Sequence, residues 1–258
     1  MRKFTSILLL LIFAALATAQ TYNTGNTSNL SLQTKYGGAY FYTSALGVPT
    51  AVTVEAANQY AAVPLVTTAT NLNGWTHKVG TGPVAVASVA NNNAVVANTI
   101  LVTTSVDHNL AVGDYVKHTG FAVRTVYSGT WKVLAVPLST TYTVGRAYDT
   151  STDTGFAGRS FSLRANTGSA GTYLVQFSSS IQSDANTTDF RMELVKNTTD
   201  LDNITSQVLF STQNRPGAMG GVGLVTVADD DVIWLHVKNL TDTTDLKVWL
   251  FNFVVTRL

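Results

Sequence analysis

The sequence predicts an all-β protein, and three observations predict it. Its charged fraction is 12%, roughly half the share of an ordinary globular domain. Thr, Val, Ser, Asn and Ala fill the difference, and β-branched residues suit a pleated, half-buried surface while Asn, Ser and Gly mark turns. Past residue 20, short alternating segments are broken by turn signals about every ten residues, and no helical period is sustained.

The elements follow in order. Residues 1–19 have the three parts of a secretory signal peptide. These are a basic start at Arg2-Lys3, an apolar run from Ile7 to Ala17, and small residues at Ala17 and Ala19. Cleavage is expected before Gln20, and the run is short for a membrane anchor of roughly twenty residues. Residues 20–35 are polar, rich in Asn and Thr, and read as an N-terminal arm or linker. Strand candidates then begin at Ala39-Tyr40-Phe41-Tyr42 and continue at 51–54 and 60–63, and Asn73-Gly74 marks a turn beside Trp75.

Residues 83–155 read as a small β module of their own. Thr99–Thr103 is a strand, Leu110-Ala111-Val112-Gly113-Asp114 a bend, and 115–117, 127–133 and 141–144 further strands. The polar stretch 149–155 reads as an exit linker. From Phe156 onward the alternation is clearest, at 172–177, 190–195, 207–210, 220–227, 232–238 and 246–255. The glycine-rich segment 216–223 reads as a flexible loop leading into a strand. It is no phosphate loop, because neither Lys-Ser/Thr nor a helix follows it.

Several functions are disfavoured by what the chain contains. With no cysteine, it has no disulfide, thiolate nucleophile or cysteine-bound zinc. A net charge of +1 with 16 scattered basic residues argues against nucleic acid. His77, His108, His118 and His236 lack metal-ligand spacing. His108 falls in a turn after Asp107, and His236, between Leu235 and Val237, is expected on the polar face of a strand. Asp229-Asp230-Asp231 reads as a solvated hairpin turn, since three consecutive residues rarely converge on one calcium. Gly168-Ser169-Ala170-Gly171 falls one residue short of a nucleophile turn. Glu55, Glu193 and turn-bound aspartates are poor material for a paired-carboxylate hydrolase. The sequons at Asn26, Asn29, Asn186, Asn197, Asn203 and Asn239 are expected by chance in so Asn- and Thr-rich a chain, and matter only in a eukaryotic host. Trp75 and Trp131, with ten tyrosines, are the candidate stacking or anchoring aromatics, while Trp234 and Trp249 are expected in the core. No catalytic, cofactor-binding or metal residue is assigned, and no enzyme activity is expected.

The segments "AGTYLVQFSSSI" (170–181), "DFRMELVKN" (189–197) and "VTVADDDVIWLHVKNLTDTTDLKV" (225–248) resemble the jelly roll of the tumour-necrosis-factor and C1q type found in phage fibre heads and virion proteins. Residues 38–80 look like that family's opening strands. The segments "VTTSVDHNLAVGDYVKHTG" (102–120), "YSGTWKVLAV" (127–136) and "TTYTVGRAYDT" (140–150) resemble a small β module of phage tail proteins, similar to the first catalytic-cysteine half-domain of ubiquitin-activating enzymes. That module carries no catalytic cysteine itself. The resemblance implies a discontinuous antiparallel jelly roll, 36–82 with 156–258, split by a barrel-like insertion at 83–155. It also implies a homotrimer in a virion fibre, tail or decoration protein, with virion or cell-surface proteins and surface glycans as partners. No membrane contact is expected beyond the signal. The signal-like start departs from cytoplasmic phage assembly, and leaves a secreted bacterial surface, matrix or carbohydrate-binding protein as the alternative.

Overall fold

A computed structural model describes residues 36–42, 49–55, 57–64, 69–92, 96–149 and 153–258. The predicted signal and arm, residues 1–35, lie outside the described residues. Five strands come first: β1 (Tyr36–Tyr42), β2 (Thr50–Val52), β3 (Tyr60–Ala62), β4 (Ala69–Asn73) and β5 (Trp75–Lys78). Six follow: β6 (Thr81–Asn91), β7 (Ile100–Thr104), β8 (Tyr115–Thr119), β9 (Gly129–Leu138), β10 (Thr141–Val144) and β11 (Gly155–Arg159). The last seven are β12 (Ser162–Ala165), β13 (Gly171–Ser183), β14 (Thr188–Lys196), β15 (Thr199–Phe210), β16 (Pro216–Val227), β17 (Val232–Asn239) and β18 (Leu246–Arg257).

The chain is all-β, as its composition predicts. Sheet A runs β16-β13-β18-β1-β4, with β2 also on β18, and sheet B runs β15-β14-β17-β12-β5, with β3 also on β17. The chain crosses between the sheets from β2 to β5, from β12 to β14 and from β15 to β18, in the manner of a jelly roll, while β14 and β15 form a hairpin within sheet B. Between β5 and β12 the chain builds a closed barrel, β10-β7-β6-β11-β8-β9. β5 and β12 pair with each other, Lys78 opposite Ser162, so the barrel leaves and rejoins sheet B through neighbouring strands.

Alternation places the core. On β13, Tyr173, Val175, Phe177 and Ile181 are buried while Thr172, Gln176 and Ser178 face outward or half outward. They meet Phe190, Met192, Leu194, Ile233, Leu235 and Val237 of sheet B and Val248, Phe251, Phe253 and Val255 of β18. Trp75 stacks edge-on against Tyr173 at 5.1 Å between ring centres, so this tryptophan is core. The expected Asn73-Gly74 turn is present: Gly74 adopts a φ of 81° and carries the chain from sheet A across to sheet B.

Three expectations need correction. The glycine-rich segment is not a loop: Gly217, Gly221 and Gly223 lie within β16, paired along β13. They replace side chains for which there is no room. A Cβ on Gly221 would stand 2.6 Å from the Phe177 ring, and one on Gly223 would stand 2.5 Å from Ile204. Glycine in this strand lets bulky neighbours lie flat against the backbone. Trp249 is half-buried beside a bulge in the β13–β18 ladder, with its indole N–H donating to Gln182 at 3.1 Å, rather than in the core. The stretch 149–155 is more than a linker. Asp153 is buried and accepts the backbone N–H groups of Val123 and Arg124, and Gly155 already opens β11.

The barrel has its own core of Val89, Ile100, Val102, Val116, Val133, Tyr142 and Val144. His118 is sealed inside it. A carbonyl can only accept, so Nδ1 carries the proton toward the Tyr127 carbonyl at 3.2 Å, and Tyr142 donates its O–H to Nε2 at 2.7 Å. Burial holds this imidazole down at about 4.

Candidate functional site

Two surfaces stand out, one on each side of the sandwich. The first is the outward face of sheet A. Alternation sends Ala218, Gly220, Val222 and Leu224 of β16 outward, with Leu174, Gln176, Ser178 and Ser180 of β13 beside them. Leu250, Asn252, Val254 and Thr256 of β18 continue the face in register. None of these residues is charged. Val222, Leu224 and Leu250 are exposed at 60%, 58% and 49%. A run of apolar side chains on one sheet face, with Lys247 only at its end where it pairs with Asp184, marks an interaction surface.

The second is the outward face of sheet B, which the barrel covers. Tyr115 of β8 packs on Val195, Val232 and Trp234. Beside them lies a polar seam. Tyr60 of β3 donates its O–H to Glu193 of β14, whose carboxylate is buried. His236 of β17 stands opposite Glu193 in register and is fully buried, with Trp234 edge-on at 4.4 Å and Tyr60 at 5.6 Å. Asp200 lies 3.6 Å from His236 Nδ1. Lys117 of β8 and Lys238 of β17 sit over the Tyr60 ring at 5.4 and 4.6 Å. Arg191 reaches both Glu193 and Asp202, at 3.7 and 3.3 Å.

Burial dominates the electrostatics here. It pushes the Glu193 carboxyl and the Tyr60 phenol up, Lys117 down to about 8 and His236 down to about 4. Asp200 moves the other way, held down chiefly by the imidazole beside it.

His236 therefore departs from expectation: it is not on a solvated face, because the barrel caps that face. The sequence reading also missed Tyr60, Lys117, Arg191, Asp200 and Lys238 as parts of one cluster. A signal was available in β17, whose Val232-Ile233-Trp234-Leu235-His236-Val237 reads as a nearly continuous apolar run, the pattern of a strand covered on both sides. His236 is the polar exception within that run, whereas β14, with Arg191 and Glu193 alternating with Phe190, Met192 and Leu194, reads as a strand with one wet face.

The remaining candidates are spoken for. His77 lies against Phe161 at 6.5 Å, and His108, buried, accepts the Leu110 N–H and packs against Tyr142. The Ser169 hydroxyl donates to the Gly74 carbonyl, and the N–H groups of Gly168, Ser169 and Ala170 point to the Asp229 carboxylate. Asp231 accepts from Ala228 and Asn197. The acidic triplet is thus a hydrogen-bonded turn, not merely a solvated one. Among the described residues no group of His, Asp and Glu is arranged to hold a metal ion. No helix there is long and apolar enough to cross a membrane.

A second buried ion pair ties the barrel to its exit. Asp114, in the expected bend at 110–114, accepts the Ala111 N–H and receives Arg159 at 2.5 Å and Lys78 at 3.4 Å. Arg159 also donates to the carbonyls of Val79 and Asn109. Residues of both strands that connect barrel and sandwich, β5 and β11, therefore meet on one carboxylate.

The topology defines an antiparallel jelly-roll sandwich with an inserted closed barrel. Among solved structures, the chain is similar to the tumour necrosis factor Eiger of S. frugiperda, at 13% identity and a TM-score of 0.29, over 68% of this chain and 93% of that one. It is also similar to the VP2 subviral particle of infectious bursal disease virus, at 11% identity and a TM-score of 0.21, over 87% of this chain and 68% of that one. No protein-family model and no curated protein matches the sequence.

Proposed function

We propose that the protein is a non-enzymatic structural or attachment protein of a virion or cell surface, acting as a homotrimer with the outward face of sheet A buried between copies. The observation that carries this reading is the uncharged face around Val222, Leu224 and Leu250. Removing such side chains from water is worth about 1.5–3 kcal/mol each. The outward face of sheet B, in contrast, is already occupied by the barrel. The non-enzymatic part is supported by the polar seam, whose Glu193 and His236 side chains are buried beneath the barrel. Three copies are what the jelly-roll resemblance implies, and multivalent attachment is what a trimer provides. The signal-like start favours export, and with it the secreted surface-protein version of the same role.

Light scattering on the full chain tests the reading. A trimer is expected for the wild type and a monomer for Val222→Asp with Leu224→Asp, at unchanged circular dichroism. A monomeric wild type, or a trimer that survives both aspartates, would refute it.

A further inference from the structure

The polar seam beneath the barrel has a property that neither assembly nor attachment requires. His236 is fully buried, and among the described residues neither of its ring nitrogens has a hydrogen-bond partner. A neutral imidazole tolerates that at modest cost, whereas an imidazolium has two donors and a full charge to satisfy. The groups facing it come from every element around it. Trp234 and Lys238 share its strand, and Glu193 and Arg191 approach from β14. Asp200 and Asp202 belong to β15, Tyr60 to β3, and Tyr115 and Lys117 to β8 of the barrel. Asp200 can serve one nitrogen, at 3.6 Å. Nothing described serves the other, and Lys117 opposes a second positive charge.

We propose that the contact between β8 and sheet B is an acid-opened joint, in which protonation of His236 draws water into the seam and lifts the barrel from the sandwich. The barrel is held to this face by Tyr115 on Trp234 and by Lys117 over Tyr60. Its chain connections, β5 to β6 and β11 to β12, lie together at adjacent strands and act as the hinge.

The direction follows from linkage. The ring is held below its ordinary 6.5, at about 4, while the seam is closed. The closed seam is therefore fully favoured above pH 6.5, and that advantage is lost as the pH falls toward 4. Between pH 7 and pH 5 the imidazole alone moves the opening equilibrium about 20-fold toward the open form. Glu193 works the opposite way, since its raised carboxyl takes up a proton in the closed seam. Its Oε2 keeps Tyr60 and Arg191 as partners although Oε1 has none, whereas neither imidazole nitrogen has a hydrogen bond among the described residues, so the imidazole sets the sign.

The chain's lack of cysteine allows a clean test. Val195→Cys places a thiol on the sheet face under Tyr115, Val175→Cys one in the sandwich core, and Val102→Cys one in the barrel core. Each is labelled with 4,4′-dithiodipyridine at pH 7 and pH 5, with rates normalised to an exposed control thiol. The expected result is a rise at Val195→Cys alone, with the imidazole's own contribution of about 20-fold as its upper bound, largely removed by His236→Phe and reduced by Lys117→Met. No rise overturns the proposal. So does a rise shared by all three sites, which would be global acid unfolding. A rise that persists in both His236→Phe and Lys117→Met overturns it as well, and if His236→Phe does not fold, the Lys117→Met result decides.

Discussion

Replacing Asp114 by alanine removes the one carboxylate that two cations and a backbone amide share at the root of the barrel. The side chains of Asp114 and Arg159 are only 4% and 8% exposed, so the guanidinium left behind cannot regain its water shell. Its two carbonyl partners, Val79 and Asn109, supply dipoles but no charge. Breaking an enclosed pair from one side costs about 3–5 kcal/mol, more than a hundredfold in the unfolding equilibrium. Arg159→Met is expected to cost a similar amount, while Asp114→Ala with Arg159→Met costs clearly less than the two singles together. Urea unfolding at pH 7, followed by circular dichroism and by tryptophan fluorescence with coincident transitions, gives each value from the midpoint shift. Because the pair is enclosed, 1 M salt leaves the coupling nearly intact. A loss under about 1 kcal/mol for Asp114→Ala, the range of an exposed pair, would refute the reasoning. Strict additivity in the double variant would do the same.

Three further outcomes are expected. Gly221→Ala forces a methyl against the Phe177 ring and should destabilise by about 1–3 kcal/mol; a thermal melt reads it, and Phe177→Leu should restore part of the loss. Asp229→Ala strips the acceptor from three backbone N–H groups in the 168–170 turn and should cost about 1–2 kcal/mol in urea. Tyr142→Phe deprives the buried His118 of its donor and should cost about 1–3 kcal/mol, with the proton resonances of His118 shifting in NMR spectra.

The strands of the sandwich were legible where one face is wet. On β13, Tyr173, Val175 and Phe177 alternate with Thr172, Gln176 and Ser178, and a period of two then fixes both strand and face. Legibility failed where a neighbour supplies what the residue lacks. Gly217, Gly221 and Gly223 look like loop residues because their place in the core is filled by Phe210, Phe177 and Ile204, two of them distant in sequence. His236 alternates as if one side of its strand were solvated, but that side is roofed by β8 of the barrel, encoded more than a hundred positions earlier. The seam joins Tyr60, Lys117, Glu193 and His236 from four strands with no common motif, so no spacing could have announced it. The bend at 110–114 was readable as a bend, yet its carboxylate's partners, Lys78 and Arg159, come from far along the chain in both directions.

The position of β1 between β4 and β18 governs the order in which the chain can fold as it is made. β1 and β2 pair with β18, and β3 pairs with β17. These early segments therefore wait for residues 232–257 before they gain those partners. Every ladder of the barrel, in contrast, closes within residues 81–159. Synthesis runs from the N-terminus and local pairings form before distant ones, so the insertion is complete while its host is still open. The jelly roll assembles last, around a module already formed, and during that interval its low-charge edges are the part of the nascent chain that needs shielding from other chains.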